Sequence, residues 1–161
     1  MELELTNRIL KNREYQRVLA QLREIEADRV FCRHDIQHFL DVARITLILC
    51  SDWGVSCDRD IVYSAALLHD IGRVQEQQSG IPHDIAGQAV ADVILSDVGC
   101  PDDAKRQIIA LIASHRSASP KKSQLEQVFC EADKRSRACY CCKAEALCNW
   151  SYDKKNLDIE V

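Results

Sequence analysis

Residues 61–73 read IVYSAALLHDIGR, and this stretch decides the fold. Residues 61–68 are almost continuously apolar, which predicts the most buried helix of a helical protein. We expect this helix to run from Asp58, a residue type that caps helix N-termini, to Ile71, with Gly72 as its natural stop. The polar pair His69-Asp70 therefore closes the most apolar helix of the chain.

Helical spacing of apolar residues continues on both sides of this stretch, and the chain contains only five Gly and three Pro. The pattern predicts an all-α, single-domain bundle of about six helices, with a core over residues 1–138 and a short Cys-rich tail over residues 139–161 packed on it. A polar loop is expected up to Pro82, and a linker over Ser119–Lys122. The six helices are expected at about Glu4–Asp28, Asp35–Asp52, Asp58–Ile71, from His83, from Pro101 to His115, and Ser123–Arg137.

Length and charge restrict the partners. The 161 residues suit one domain, and 21 Lys and Arg against 25 Asp and Glu give a formal charge of −4, which offers no general attraction for nucleic-acid backbones or anionic membranes. No apolar run approaches the roughly 20 residues that span a bilayer, and Met1–Lys11 is charged throughout. We expect a cytoplasmic protein with no membrane partner and no large nucleic-acid partner, and the oligomeric state stays open.

Several His and Asp residues fall on the apolar faces of different predicted helices. His38 lies in line with Val42, Ile45 and Leu49, and His69, Asp70, His115 and Asp133 also point towards the core. Any one such histidine is more often a hydrogen-bonded core residue than a metal ligand. Buried carboxylates beside several imidazoles, however, need a compensating charge, which a divalent cation supplies. Taken together, the residues indicate a metal site.

The order His38, His69-Asp70 within AALLHDIGR, and Asp133 within EADKRSR resembles the H…HD…D pattern of the HD-domain phosphohydrolases, a helical family. The resemblance covers about residues 30–140. It implies a catalytic metal held by these four residues. His83 and His115 extend the match to the branch of the family that binds two metals, in which the Asp of the doublet bridges the ions. The second ion would then be held by Asp70, His83 and His115, although His83 at a helix start fits a cap or a phosphate contact as well.

This resemblance implies hydrolysis of a phosphoester or phosphoanhydride, with one or two divalent ions (Fe, Mn, Zn, Ni or Mg) activating a water and Asp70 and His69 at the centre of catalysis. Cationic side chains near the ligands are expected to orient phosphates, and Arg73 is the first choice because it follows the doublet by three residues. A solvated surface arginine is an equal alternative. Further candidates for substrate binding are Arg116, Lys134 and His34.

The expected substrate is a small phosphorylated molecule, a nucleotide or dinucleotide polyphosphate. The HD-GYP class, which cleaves cyclic dinucleotides, is disfavoured because Gly87-Gln88-Ala89 stands where that class has Gly-Tyr-Pro. Two other functions stay open. One is a metal- or redox-responsive binding module without turnover, and the other is a di-iron oxygenase on the same scaffold.

Nine cysteines are many for a protein that we expect to be cytoplasmic, so metal binding or free thiols are favoured over disulfides. Cys139, Cys142 and Cys148 are close enough in sequence to share a soft metal, and Cys141 or Cys32 can supply a fourth ligand. Structural zinc, an iron–sulfur cluster and plain reduced thiols all remain open for the tail.

Overall fold

The computed structural model describes residues 2–115 and 122–160. These two ranges contain no strand, so the predicted all-α fold is confirmed. In chain order they form the helices α1 Glu4–Lys11, α2 Arg13–Ile25, α3 Ile36–Asp52, α4 Arg59–Leu68, α5 Arg73–Ser79, α6 His83–Asp97, α7 Asp102–Ser114 and α8 Gln124–Arg135. The tail carries three single 3₁₀ turns, at Cys139–Cys141, Glu145–Leu147 and Tyr152–Lys154.

Helix α4 is the central element, as its composition predicts. It packs against α1, α3 and α7, and Val62, Ala65 and Leu68 are fully buried. Asp58 caps it, since its side chain accepts hydrogen bonds from the backbone N–H groups of residues 60 and 61. The helix ends at Leu68, three residues before the predicted end, so the His-Asp doublet lies in the turn that follows.

The predicted first helix is two helices, because Asn12 interrupts it. Asn12 has an extended backbone, and its side chain accepts a hydrogen bond of 3.0 Å from the N–H of Tyr15. An Asn side chain that bonds nearby backbone competes with helix continuation and caps the next helix instead. The apolar spacing of α1 and α2 continues across this break, which is why the sequence pattern did not show it.

Helix α5 occupies part of the segment predicted as a polar loop. It has seven residues, only Val74 among them is buried, and it ends at Gly80 with a φ of 73° in the left-handed region. Such a short helix carries too few apolar residues to display a periodicity. The expected loop is therefore confined to the residues between Ser79 and His83.

Gly72 is needed for close packing and not as a helix stop. Its φ of −65° is ordinary, but a Cβ atom there would overlap the carbonyl oxygen of His83 and the backbone of Gly87. The turn after α4 thus lies directly against the first turns of α6. This contact brings the doublet and His83 to the same place.

Helix α8 packs along α3 and begins with a capping box, in which Ser123 and Glu126 exchange side-chain to backbone hydrogen bonds. The tail returns to the end of α8, where the Asn156 amide donates to the carbonyl oxygens of Lys134 at 2.8 Å and Arg137 at 2.9 Å. Within the described parts of the chain, no helix has the length and apolar character needed to cross a membrane.

Candidate metal centre

Six side chains from five helix ends meet at one point of the bundle. His38 lies in the first turn of α3, His83 is the first residue of α6, and Asp133 is in the last turn of α8. The other three directly follow a helix: His69 and Asp70 follow α4, and His115 follows α7. The structure therefore brings together all the residues predicted as metal ligands, which are separated by up to 95 positions in the chain.

A first group of possible metal ligands consists of His38, His69, Asp70 and Asp133. Oδ2 of Asp70 lies 3.2 Å from His69 Nε2 and 3.4 Å from His38 Nε2. Oδ1 of Asp133 lies 3.4 Å from the same nitrogen of His38 and 3.7 Å from that of His69. The four ligand atoms all lie within 4.8 Å of one another.

A second group surrounds the other oxygen of Asp70. Oδ1 lies 3.2 Å from His83 Nε2 and 3.8 Å from His115 Nε2, and these two nitrogens are 3.3 Å apart. Neighbouring ligands of an ion bound at about 2.1 Å lie roughly 3.0–3.5 Å from each other. In both groups the histidine nitrogens lie 3.2–3.8 Å from the carboxylate oxygens, at or slightly above this range. The carboxylate of Asp70 therefore stands between two sets of donors that can each hold a metal ion.

The four histidines are held by their other ring nitrogen. Nδ1 of His69 lies 2.7 Å from the carbonyl oxygen of Ala66, and Nδ1 of His115 lies 2.6 Å from that of Ile112. Since a carbonyl only accepts, these Nδ1 atoms carry a proton, which leaves Nε2 as the nitrogen that can bind an ion at the site. This is the arrangement in which histidine ligates a metal.

The remaining two histidines use side-chain acceptors. His83 Nδ1 donates to Glu76 Oε2 at 2.9 Å. His38 Nδ1 lies 3.1 Å from Ser136 Oγ, and this hydroxyl donates its own proton to the carbonyl of Asp133, so it accepts from His38. Glu76 and Ser136 were missed at the sequence level, because a partner of a ligand has no residue type or spacing of its own.

The pKa values of the ligand side chains are shifted because several ionisable groups lie close together in a buried position. Burial works against the charged form of His69, but the carboxylates of Asp70 and Asp133 outweigh it and raise the pKa of His69 to about 10. Burial likewise opposes ionisation of Asp133, yet hydrogen bonding and charge from His69 lower its pKa to about 2, and the pKa of Asp70 is also lowered. Burial and the charge of His69 lower the pKa of His115 to about 4. When no ion is bound, protonated imidazole compensates the negative charge of the two carboxylates.

Of the predicted substrate-binding residues, His34 and Arg73 adjoin this centre. His34 Nε2 lies 3.8 Å from Asp70 Oδ2, and its Nδ1 contacts the buried carboxylate of Glu26 at 2.8 Å. Arg73 Nε donates to Asp70 Oδ1 at 2.9 Å. Lys134 is largely exposed at the rim, 3.8 Å from a carboxylate oxygen of Glu131. Arg116 lies outside the described residues.

A cleft of about 850 Å³ opens over the centre. It is lined by His38, His83, His115 and Asp133 of the centre and by residues of the tail. Its walls carry six cationic residues: Arg29, Arg33, Arg73, Lys134, Arg137 and Lys155. The volume lies in the range of small-molecule sites, and the cations suit an anionic ligand.

Residues 35–138 match the family model of the HD domain, about two thirds of the chain, so this protein belongs to the HD-domain family. That range begins just before α3 and ends after α8, and it contains all six residues of the metal centre. The tail lies beyond the matched range.

An uncharacterized protein of Clostridium beijerinckii is 36% identical over 153 residues, which are 95% of this chain and 96% of that protein. Ribonuclease Y of Oleidesulfovibrio alaskensis is 29% identical over 143 residues, and Ribonuclease Y of Desulfotalea psychrophila is 31% identical over 126 residues. The matched parts are 89% and 78% of this chain but only 25% and 22% of the two ribonucleases.

Among solved structures, a predicted HD superfamily hydrolase from an uncultured Thermotogales bacterium superposes with a TM-score of 0.61 at 25% identity. The match covers 88% of this chain and 81% of that one. Fold, family and His/Asp centre together support a metal-dependent phosphohydrolase.

Proposed function

We propose that this protein hydrolyses a phosphoester or phosphoanhydride bond of a nucleotide or dinucleotide polyphosphate, with two divalent metal ions bound at the His/Asp centre. One observation carries the proposal: the two carboxylate oxygens of Asp70 face two separate pairs of histidine nitrogens, 3.2–3.8 Å away. A bridging carboxylate is the usual means of holding two catalytic ions side by side.

The donor set fits divalent ions, because it combines imidazole nitrogens with two carboxylates, of which that of Asp70 is buried. His38, His69, Asp70 and Asp133 would hold one ion, and Asp70, His83 and His115 the other. When bound, such ions lower the pKa of a coordinated water and stabilise charge on phosphoryl oxygens. Fe, Mn, Zn, Ni and Mg all accept ligands of this kind.

The chain's own residues bind and orient the substrate. Arg73 lies next to the bridging carboxylate and also lines the cleft, so its guanidinium can contact a phosphate adjacent to the reacting one. Arg29, Arg33 and Arg137 also line the cleft. Several cations around one cleft suit a chain of phosphates better than a single phosphate, which favours a polyphosphate substrate.

His34 is placed to handle a proton. Burial lowers the pKa of His34 against the opposing effect of Glu26, and its Nε2 faces the centre while Nδ1 donates to Glu26. A neutral imidazole in this tautomer can accept a proton from a water or return one to a leaving group.

Hydrolysis of an RNA phosphodiester is a second candidate, and the similarity to two ribonucleases Y favours it. The reaction would use the same centre. The net charge of −4 argues for a short oligonucleotide or a nucleotide over a long duplex.

The test is phosphate release from a panel of nucleoside di- and triphosphates, dinucleotide polyphosphates and a short RNA, with the protein loaded in turn with each of the five metals. We expect turnover of one polyphosphate. The substitution Asp70→Asn is expected to abolish both this turnover and metal binding. Asp92→Asn is the control, because Asp92 is an exposed residue of α6 that forms an ion pair with Lys105 of α7. Oxygen consumption with a polyol, or ligand binding without turnover, would instead support the oxygenase or the binding module.

A further inference from the structure

We propose that the tail and the loop before α3 share an iron–sulfur cluster held by four thiolates, those of Cys32, Cys139, Cys142 and Cys148. This site uses none of the residues of the His/Asp centre, and it lines the same cleft.

The backbone of the tail folds into a compact run of turns. These turns are closed by hydrogen bonds from the N–H of Cys142 to the carbonyl of Cys139, from Glu145 to Cys142, and from Cys148 to Glu145. Cys139, Cys142 and Cys148 are half-buried and line the cleft. Cys141 is exposed, and its thiol is directed to the carbonyl oxygen of Ala138 at 3.6 Å.

Cys32, on the loop between α2 and α3, lines the same cleft as these three cysteines. Burial and the neighbouring thiol groups of the three tail cysteines raise the pKa of its thiol, against the opposing charge of Arg137. Among the described residues, Cys32 is the one non-glycine residue with a positive φ, at 30°. This strained conformation is held by Arg29, whose Nε donates to the carbonyl oxygens of Phe31 at 2.8 Å and Cys32 at 3.1 Å.

No disulfide joins these residues, and all nine cysteines of the chain are free. Four thiols gathered without bonding to each other are suited to a soft metal centre. Arg137 and Lys155 supply positive charge beside them, which offsets the charge of four thiolates.

The separation of the sulfur atoms distinguishes a cluster from a single zinc ion. Four thiolates around zinc, with Zn–S bonds of about 2.3 Å, place their sulfur atoms about 3.8 Å apart. Within the described part of the chain, no three cysteine sulfur atoms lie within 4.8 Å of one another. The sulfur atoms are therefore spaced more widely than the ligands of a single bound zinc ion. An iron–sulfur cluster, which places iron and sulfide between its four thiolates, suits this wider spacing.

The experiment is anaerobic reconstitution of the full chain with ferrous iron and sulfide, followed by desalting and measurement of iron, acid-labile sulfide and visible absorption. Because the His/Asp centre also accepts iron, the measurement is made in an Asp70→Ala background, and acid-labile sulfide is the decisive quantity. We expect iron and sulfide in equal amounts, with the broad visible absorption of a cluster.

Four single variants in that background, C32S, C139S, C142S and C148S, are expected to lose at least 80% of the sulfide and of the visible absorption. C141S is the matched control and is expected to retain both. Far-ultraviolet circular dichroism of each variant checks that it remains folded. Equal sulfide retention in C32S and C141S would overturn the proposal, as would stoichiometric zinc with no sulfide. Since the readout does not depend on turnover, its failure would leave the proposed hydrolase function untouched.

Discussion

Arg73 Nε donates a 2.9 Å hydrogen bond to Oδ1 of Asp70, the carboxylate at the middle of the metal centre. This contact neutralises part of the charge of Asp70 and directs the guanidinium towards the cleft. About one fifth of the Arg73 side chain is exposed, so its remaining N–H groups are accessible from the cleft. An arginine in this position can join the bridging carboxylate to a bound phosphate.

We therefore expect Arg73→Ala to reduce kcat/KM for the phosphorylated substrate by about 10- to 100-fold, the size of one lost charge-assisted hydrogen bond of about 1.5–3 kcal/mol. Arg73→Lys retains the charge but not the planar fork and should recover only part of the loss. Arg44→Ala serves as control, because Arg44 is exposed and pairs with Asp41 on α3. Steady-state kinetics measure the effect, and wild-type kinetics in Arg73→Ala would refute the assignment.

Glu76 and Ser136 each hold a histidine of a different one of the two ligand groups, so the two groups can be tested separately. Glu76 holds His83 of the second group, and Ser136 holds His38 of the first. Loss of such a partner weakens metal binding by about 10- to 100-fold. We expect Glu76→Ala to weaken one step of a calorimetric metal titration and Ser136→Ala the other. If both variants weakened the same step, the division into two groups would be wrong.

The positions of the metal centre residues were foreseeable because each stands on an apolar helical face or at a helix end. His38 aligns with Val42, and Asp133 with Phe129, at the spacing of one helical turn. A polar residue that interrupts such an apolar face can be recognised from the sequence alone. The same periodicity located α3, α4, α6, α7 and α8 to within a few residues.

Features that depend on contacts between distant segments were not foreseeable. The seven residues of α5 carry one buried side chain, and the break at Asn12 leaves the apolar spacing intact, so neither leaves a signal in periodicity. The hydrogen bond from His83 to Glu76 exists only because α5 folds back onto the start of α6. Such partners follow from tertiary packing alone.

Gly72 and Gly87 offer a matched pair for the packing that supports His83. A Cβ at Gly72 would overlap the His83 carbonyl oxygen, whereas a Cβ at Gly87 would meet its nearest neighbour, the Gly72 nitrogen, at an ordinary 3.6 Å. We expect Gly72→Ala to lower the free energy of unfolding by about 1–3 kcal/mol, as overpacking does. It should also weaken metal binding by the second group.

Gly87→Ala is expected to remain close to the wild type in both respects. Urea denaturation and metal titration of the two variants measure the difference. Equal destabilisation by the two substitutions would show that the close approach at Gly72 is not what restricts this turn.

Tyr15 presents a buried hydroxyl whose oxygen has no hydrogen-bond partner within the described parts of the chain. Leaving such a group unpaired costs about 1–3 kcal/mol. Tyr15→Phe removes the hydroxyl and keeps the aromatic ring, which packs in the hydrophobic core. We therefore expect the free energy of unfolding at neutral pH to rise by about 1 kcal/mol, while Tyr152→Phe, at an 80% exposed position, should change nothing.

The same residue predicts a dependence on pH. Burial raises the pKa of Tyr15, against the smaller opposing effect of Arg23. The folded state thus retains its proton where the unfolded state, with a pKa of about 10, has released it. Unfolding becomes more favourable as the pH rises above about 10, because only the unfolded chain can ionise there. Tyr15→Phe removes this loss, so its advantage over the wild type should grow between about pH 9 and pH 11 in denaturant titrations. A constant difference across that range would mean that Tyr15 ionises as readily in the folded protein as in the unfolded chain.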